Sequence, residues 1–404
     1  MTDKADLSRN GKKLISSLFC SNLEFSVLVR VLHISLMKIS RLIPVLFSLF
    51  LGSLGSAAPF LAVGDGAELF VTGTVGVRED DNIFLAPSRT EDTIFDLTPG
   101  ALLVFGKDME LKGTISAVDD FSSYKQNSKL NTNLFSGDFA STYDDGKTKL
   151  GAGLFYHELN QNTVDNRGLT RRNVFSANGS GEMDMTEITA VGAGITFTHT
   201  DYRRVGYISS DDTTIPLNFY YKWTPKVDLS AGYQYRDYDP TIGPEAKDNF
   251  FNVGARGEFT PLLTGQFRVG YTDRSFNHGV SAVHMLGLDG NLSYAVTPKS
   301  TLTLTAQNAP DTSPQGLQEK NTMIGLMGSL ALDDQWSANA GVNYRAIKYP
   351  DHTDHYTEGT VGATYTMNAY VKFVGAYVYR RNNSSFATSQ FTENVFSLSA
   401  NLRY

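Results

Sequence analysis

The feature that most constrains the fold of this 404-residue sequence is an alternation of apolar and polar residues with period two. Between Gln335 and Ala346 the even positions are all apolar, and the odd positions are all polar or glycine. Residues two apart lie on the same face of a β-strand, so this segment predicts a strand with one apolar face. Such segments run for about 10 to 13 residues, which suits a tilted strand crossing a bilayer better than a strand of a soluble sheet.

The connections between these segments are of two alternating kinds. Short turns recur every 35 to 37 residues, at Thr224-Pro225-Lys226, Thr260-Pro261-Leu262, Thr297-Pro298-Lys299, Asp333-Asp334 and Met367-Asn368-Ala369. Longer polar loops lie between them, for example Asp239 to Lys247 and Ala309 to Lys320. A repeating two-strand unit with a tight turn at one rim and a longer loop at the other is typical of an outer-membrane β-barrel.

The predicted fold class is therefore all-β, a transmembrane antiparallel up-and-down β-barrel. Counting strands gives eighteen. Sixteen is the alternative because the stretch 186–224 contains a short, weakly patterned segment, Arg203 to Ser209. Eighteen requires a short strand at 202–210 and makes Asn160 to Met185 the largest external loop. A soluble β-sandwich is the competing interpretation of the apolar stripes, but it requires shorter strands and Greek-key crossovers.

The N-terminal region has the features of a secretory signal. Met37 is followed by Lys38 and Arg41, an apolar run from Leu42 to Leu54, and then small residues. We therefore expect residues 1–36 to lie upstream of the true start, residues 37–57 to be a signal peptide, and residues 58–404 to form the barrel. The outer membrane is the expected location.

Composition and motifs exclude several other functions. The formal net charge is −7 and no basic run interleaves with aromatics, so a nucleic-acid partner is not expected. The single cysteine, Cys20, rules out a cysteine-based metal site. No catalytic motif is recognisable, so we expect neither an enzyme nor a cofactor. The segment Asp351 to His355 reads as a hydrated loop, with metal binding as the weaker alternative, and four Asp-Asp pairs read as turn starts.

The last strand suggests an assembly signal. Its apolar face ends on an aromatic residue and consists of Phe396, Leu398, Ala400, Leu402 and Tyr404. In this the chain resembles Gram-negative outer-membrane proteins, and the resemblance implies recognition by the barrel-assembly machinery. Residues 75–84 with 92–100 look like the opening of the putative β-barrel porin family, which includes outer-membrane barrels of exopolysaccharide gene clusters. This resemblance implies a conduit, with polysaccharide export and periplasmic export proteins as one setting.

The outward and inward faces carry different expectations. Outward apolar stripes such as Ile215 to Trp223 predict contact with outer-membrane lipid and lipopolysaccharide. The same alternation predicts that the residues lining the lumen include Lys112, Lys222, Arg236, Arg256, Glu258, Arg268 and Arg345. This basic bias favours anionic or saccharide solutes. The alternative is that the arginines pair with carboxylates and stiffen the wall.

For one hairpin, the prediction of a basic lumen can be stated residue by residue. If Thr260 lies opposite Thr264, then Glu258 faces Gln266 and Arg256 faces Arg268. Two opposed arginines would be an unfavourable pair unless a counter-charge is near. Two function classes remain open at this point: a porin-like conduit for polar solutes, and a structural or adhesive barrel whose external loops bind a partner.

Overall fold

The computed structural model describes residues 59–404, apart from Asp65, Arg167 and residues 278–280. The expected upstream segment 1–36 and the expected signal peptide 37–57 lie outside the described residues. Within the described ranges, no helix has the length and apolar character needed to cross a membrane.

The described chain consists almost entirely of β-strands. Two single-turn 3₁₀ helices, Ser128–Leu130 and Ala387–Ser389, interrupt the loops. The strands are β1 Leu61–Val63, β2 Ala67–Asp80, β3 Asp92–Phe105, β4 Leu111–Tyr124, β5 Thr132–Asp144, β6 Thr148–Gln161, β7 Thr170–Asp184, β8 Thr189–Tyr202, β9 Ser210–Thr224, β10 Val227–Pro240, β11 Ala246–Thr260, β12 Leu263–Phe276, β13 Val283–Thr297, β14 Ser300–Thr312, β15 Gln318–Ala331, β16 Trp336–Lys348, β17 Thr353–Thr366, β18 Val371–Ser384 and β19 Phe391–Arg403.

The eighteen long strands, β2 to β19, close into a barrel. Each pairs antiparallel with the next, and β19 returns to pair with β2. At the seam the backbone N–H of Val71 donates to Tyr404 at 2.7 Å, and the N–H of Tyr404 donates to Val71 at 2.9 Å. The predicted eighteen-strand barrel is therefore confirmed, and the sixteen-strand and sandwich alternatives are excluded.

Large apolar side chains cover the outside of this barrel. Trp223 is 65% exposed and Phe396 is 60% exposed, and they are typical of the outward positions. Such exposure is costly in water but favourable in lipid, where a closed barrel also satisfies every strand's backbone hydrogen bonds. The expected outward positions of the last strand, Phe396 and Leu398 among them, lie on this face.

The two rims of the barrel differ. The turn end carries the short connections, for example residues 225–226, 261–262 and 298–299. The loop end carries the longer ones, of which the longest joins β2 to β3 through residues 81–91. Because barrels of this kind keep short turns in the periplasm, we expect the loop end to face outward from the cell.

The three Thr-Pro turns share one local structure. Oγ1 of Thr224 accepts hydrogen bonds from the N–H groups of Lys226 and Val227, at 3.3 and 3.0 Å, and Thr260 repeats this with Leu262 and Leu263. Proline presets the backbone of such a turn. The residue before each threonine is bulged out of the pairing: Trp223, Phe259 and Val296.

The bulge corrects the predicted register of the β11–β12 hairpin. Thr260 pairs with Leu263, the extra residue Phe259 shifts the ladder, and Glu258 then faces Thr264. Arg256 consequently lies opposite Gln266, while Arg268 lies opposite Gly254. The expectation that Arg256 and Arg268 face each other was wrong because a tight turn plus a bulge moves the strands by two residues.

The structure also corrects the region between residues 160 and 224. The predicted loop Asn160 to Met185 contains strand β7, and the predicted strand 202–210 is mostly the loop 203–209 between β8 and β9. Strand β7 was not predicted because the apolar residues of its outward face are interrupted by Arg171, Asn173, Gly179 and Gly181. The two errors cancelled in the count, so the total of eighteen was right.

The aspartate pairs divide between turns and strands. Asp333 accepts hydrogen bonds from the N–H groups of Gln335 and Trp336, at 2.8 and 2.7 Å, and these bonds lower the pKa of its carboxyl. Asp145 holds its turn in the same way. Asp211 and Asp212 instead lie within β9. The turn interpretation therefore applies to only some of the pairs.

The seam generates the first prediction. Deleting Tyr404 removes two backbone hydrogen bonds and a ring that packs against Phe60 and Tyr370, with centroids 6.3 and 5.7 Å apart. We expect less heat-modifiable barrel in the outer membrane, measured by gel mobility before and after boiling. Tyr404→Phe is the matched control and should assemble normally, because it keeps the backbone and the ring. Equal amounts of folded barrel from all three chains would contradict the proposed role.

Candidate functional site

The lumenal face can be identified from contacts that skip strands. Arg256 on β11 donates two hydrogen bonds of 2.7 Å to Glu182 on β7, with three strands between them. A side chain can reach so far only through the inside of the barrel. Arg256 also donates to Asp228 at 3.0 Å and lies 3.5 Å from the ring centre of Tyr220.

A second arginine cluster lies nearer the loop end. Arg236 on β10 contacts Asp212 at 2.6 Å and reaches Asp311 on β14 at 3.1 Å. Its neighbour Arg274 has a side chain that is 1% exposed and lies 3.3 Å from Asp248. The guanidinium of Arg274 also donates to Thr312 at 2.8 Å. Together these contacts tie the lumenal faces of β9 to β14 into one network.

Arg345 anchors an external loop. It lies on β16 and donates from Nη1 to Asp165 at 2.7 Å, although the two residues are 180 positions apart. The same guanidinium donates to Asn321 at 3.0 Å and contacts Glu319 at 3.4 Å. Asp165 belongs to the β6–β7 connection, so we define the described residues of 162–169 as the loop bridge.

The loop bridge is packed from several sides. Val164, 5% exposed, lies in an apolar cluster with Leu85, Ile347, Tyr349, Tyr356 and Phe391. Asn162 donates to the carbonyl of Ile83 at 2.7 Å, and Tyr207 donates to the carbonyl of Asn166. These partners come from the β2–β3 loop, the β8–β9 loop and the wall around β16 to β19. The loop bridge therefore spans part of the loop-end mouth.

A third cluster holds the loop bridge on the same side of the barrel, two strands away from Arg345. Arg380 on β18 donates to Glu358 at 2.8 Å and to Glu393 at 2.6 Å. Glu393 is fully buried and also accepts from Asn162 of the loop bridge at 3.4 Å. Separating the partners of a buried ion pair leaves an uncompensated buried charge, which is strongly destabilising. The cluster therefore resists rearrangement.

The remaining predicted lumenal residues are spread along the wall. Lys222 contacts Asp184 at 2.7 Å, Glu258 contacts Lys226 at 2.6 Å, and Arg268 pairs with Asp289. Lys112 is exposed and lies opposite Thr142 near the turn end. The structure thus gathers Arg236, Arg256 and Arg345 into clusters and leaves the others in separate pairs.

Several residues of these clusters were missed by sequence reasoning. Asp248 and Arg274 share the parity of Arg256 and Arg268, so the alternation could have found them. Glu182 lies on the unrecognised strand β7, and Asp165 lies in a connection, where period two gives no signal. Their omission produced the expected basic bias.

Six of the lumenal cations are balanced by acids. Arg78, Lys222, Arg236, Arg256, Arg268 and Arg345 each lie within 4 Å of a carboxylate. A paired charge presents a weaker field to a passing ion than a free one. The arrangement agrees with the alternative left open above, in which arginines brace the wall.

One part of the lumenal wall is largely uncharged, and we call it the neutral wall. It comprises the inward positions in the turn-end parts of β13, β14, β16 and β17, while β15 adds Gly325, Ser329 and two methionines. Its polar members are Asn291, Ser293, Thr301, Thr303, Thr305, Ser337, Asn339, Asn343, Thr360 and Thr364. Asn343 Oδ1 and Thr360 Oγ1 have no hydrogen-bond partner among the described residues.

The histidine segment does not converge on one point. His352 stacks on Tyr349 with centroids 4.3 Å apart, whereas His355 on β17 faces outward and lies 2.7 Å from the hydroxyl of Tyr344. In the described part of the chain, no three His, Cys, Asp or Glu side chains are grouped as a metal site would require.

Comparison with known families agrees with this geometry. Residues 246–404, from β11 to the end of the last strand, match the protein-family profile described as Putative beta-barrel porin 2. The molecule is a porin-like barrel of the outer membrane. The match confirms the resemblance inferred from residues 75–100 and lies in a different part of the chain. No curated protein matches the sequence.

Solved structures with a similar fold include outer-membrane proteins of two species. OpdK of Pseudomonas aeruginosa, solved with vanillate, is 10% identical, with 85% of this chain and all of that chain covered and a TM-score of 0.47. OccAB3 of Acinetobacter baumannii is 9% identical, with 85% of this chain and all of that chain covered and a TM-score of 0.45. A bacterial polysaccharide outer membrane secretin is 12% identical, also over 85% of this chain and all of that chain, with a TM-score of 0.39.

The loop bridge generates the second prediction. Asp165→Asn removes the charge that ties the bridge to Arg345, a contact worth about 1.5–3 kcal/mol for a charged hydrogen bond. We expect a higher single-channel conductance in planar bilayers, because the bridge leaves the mouth more often. Asp289→Asn is the matched control, since it removes the same lumenal charge beside Arg268 without touching a loop. Equal conductance changes in the two variants would show that charge and not the bridge is responsible.

Proposed function

We propose that the barrel is a passive conduit for polar, uncharged solutes of the saccharide type. The observation that carries this proposal is the neutral wall. Hydroxyl and amide groups can exchange hydrogen bonds with the hydroxyls of a sugar, and they impose no preference for either sign of charge. Ser337 and Asn339, which are exposed on β16, and the half-exposed Thr364 opposite Ser337 are the best-placed partners.

An anionic solute is less well supported. Anion selectivity requires basic groups whose field reaches the lumen, and the arginines of the lumenal clusters are paired with carboxylates. Near the turn end, four exposed inward cations have no ion pair with a described residue: Lys112, Lys149, Lys372 and Arg403. Exposed charges at a rim are screened by salt, so they give a weak filter. Export of an exopolysaccharide, which the family resemblance implies, fits an uncharged polysaccharide better than an acidic one.

A second candidate is a barrel that serves as a surface platform and conducts nothing in its resting state. The observation in its favour is the loop bridge, which fills part of the mouth and is held by Arg345, Asn162 and the apolar cluster around Val164. A silent barrel whose current appears only in Asp165→Asn would support a gated conduit. A barrel silent in both forms would support the platform.

The neutral wall generates the third prediction. The wild-type barrel should show a reversal potential near zero in a salt gradient, and an uncharged oligosaccharide should block its current. Thr364→Val keeps the side-chain shape but removes a half-exposed hydroxyl of the neutral wall, so it should shorten each block while leaving the ionic conductance unchanged. Thr357→Val, on the same strand but facing lipid, is the control. Strong anion selectivity, or identical block times in all three barrels, would contradict the proposal.

A further inference from the structure

A group of cations faces lipid at the loop end of the barrel. Lys320 on β15 lies directly opposite Lys348 on β16, and Arg381 lies near the loop end of β18. All three alternate with lumenal residues, since Glu319 and Arg345 point inward, and they therefore point outward. Lys348 and Arg381 are exposed, and Lys320 is half-buried.

These cations have no hydrogen bond or ion pair with any described residue. Other outward charges at the same end have partners: Arg203 is 3.2 Å from Asp201, and His284 is 2.7 Å from Asp273. Lys247 lies opposite an acid, Asp237, and not opposite a second cation. Like charges directly opposite on a sheet repel each other. The opposed pair Lys320 and Lys348 therefore calls for an anion from outside the chain.

An apolar groove lies on the same outer surface toward the turn end. It has a volume of about 430 Å³ and is lined in part by Leu326, Gly328, Ala340, Gly359 and Tyr379. Small residues make the depression, and larger ones such as Leu326 form its sides. The groove runs across the neighbouring strands from β14 to β18, including the two that carry Lys320 and Lys348.

The spacing between the cations and the groove fits the depth of a membrane leaflet. Leu326 is six residues from Lys320, which is about 20 Å along a strand and about 15 Å of depth at a tilt near 40°. The apolar core of a bilayer is about 30 Å thick, so Leu326 lies near its middle, at a depth that an acyl chain of the outer leaflet reaches. Tyr344 lies between the lysine pair and the groove, where interfacial aromatics are expected.

We propose that Lys320, Lys348 and Arg381 together with this groove bind a phosphorylated glycolipid of the outer leaflet. Its phosphates lie between the ammonium groups of the lysine pair and against Arg381, and one acyl chain lies in the groove. Charge complementarity selects this occupant. A second copy of the chain would bring the same cations to the interface, and a neutral lipid would leave them unpaired.

The test uses the full-length folded protein in detergent, titrated with diphosphoryl lipid A and followed by native mass spectrometry. Lys320→Gln with Lys348→Gln should weaken binding roughly 30-fold, at about 1 kcal/mol for each lysine. Lys247→Gln is the matched control and should bind as the wild type does. Wild-type protein should also bind a dephosphorylated analogue with the same acyl chains far more weakly.

The groove is tested separately without changing any charge. A Cβ added at Gly359 meets no heavy atom within 4 Å, so Gly359→Leu can place its side chain in the groove, and it should weaken binding of lipid A. Gly73→Leu, at an equally open position on β2, should not. Equal affinity for phosphorylated and dephosphorylated lipid, or no loss in the lysine double variant, would overturn the proposal. Unchanged binding in Gly359→Leu would overturn the acyl-chain part.

Discussion

The constraint on which the whole molecule depends is that every backbone N–H and C=O of a strand in lipid must find a partner within the protein. The eighteen long strands meet it by closing on themselves, because β19 returns to β2 and Tyr404 completes the seam with Val71. Closure in turn requires short, reproducible turns at one rim. The Thr-Pro hairpins supply them, with threonine oxygens accepting the turn's N–H groups and a bulge before each threonine.

A second constraint acts inside the barrel, where charged side chains are partly removed from water. Burying an unpaired charge is costly, and the lumenal arginines are accordingly held by carboxylates, often from distant strands. Arg256 uses Glu182 and Asp228, and Arg345 uses Asp165 and Glu319. These clusters brace the wall and hold the loop bridge. The neutral wall of hydroxyls and amides is the largely uncharged part of the lumenal surface, and it is the basis of the proposed preference for uncharged polar solutes.

The same rule explains why the lipid-facing cations stand out. Inside the barrel and at several outward positions of the loop end, charge is balanced within the chain, as at Arg203 and Asp201. Lys320 and Lys348 face each other without an acid, and a groove suited to an acyl chain lies below them. A glycolipid phosphate would balance the pair in the way that Asp201 balances Arg203. Lumenal cations are thus paired with carboxylates of the chain, whereas we propose a lipid phosphate as the partner of the lipid-facing lysine pair.

The sequence by itself determined the strands, their two faces and the turn end, because alternation and Thr-Pro turns are local signals read within a dozen residues. Strand β7 was not predicted because its outward face is interrupted by polar residues and glycines. The β11–β12 register was predicted wrongly because the alternation of apolar and polar residues does not reveal the single bulged residue, Phe259. Only the tertiary structure decided the partners of the lumenal arginines. Arg256 meets Glu182 across three intervening strands, and Arg345 meets Asp165 across 180 residues, because barrel closure brings these positions together and no local pattern records that curvature.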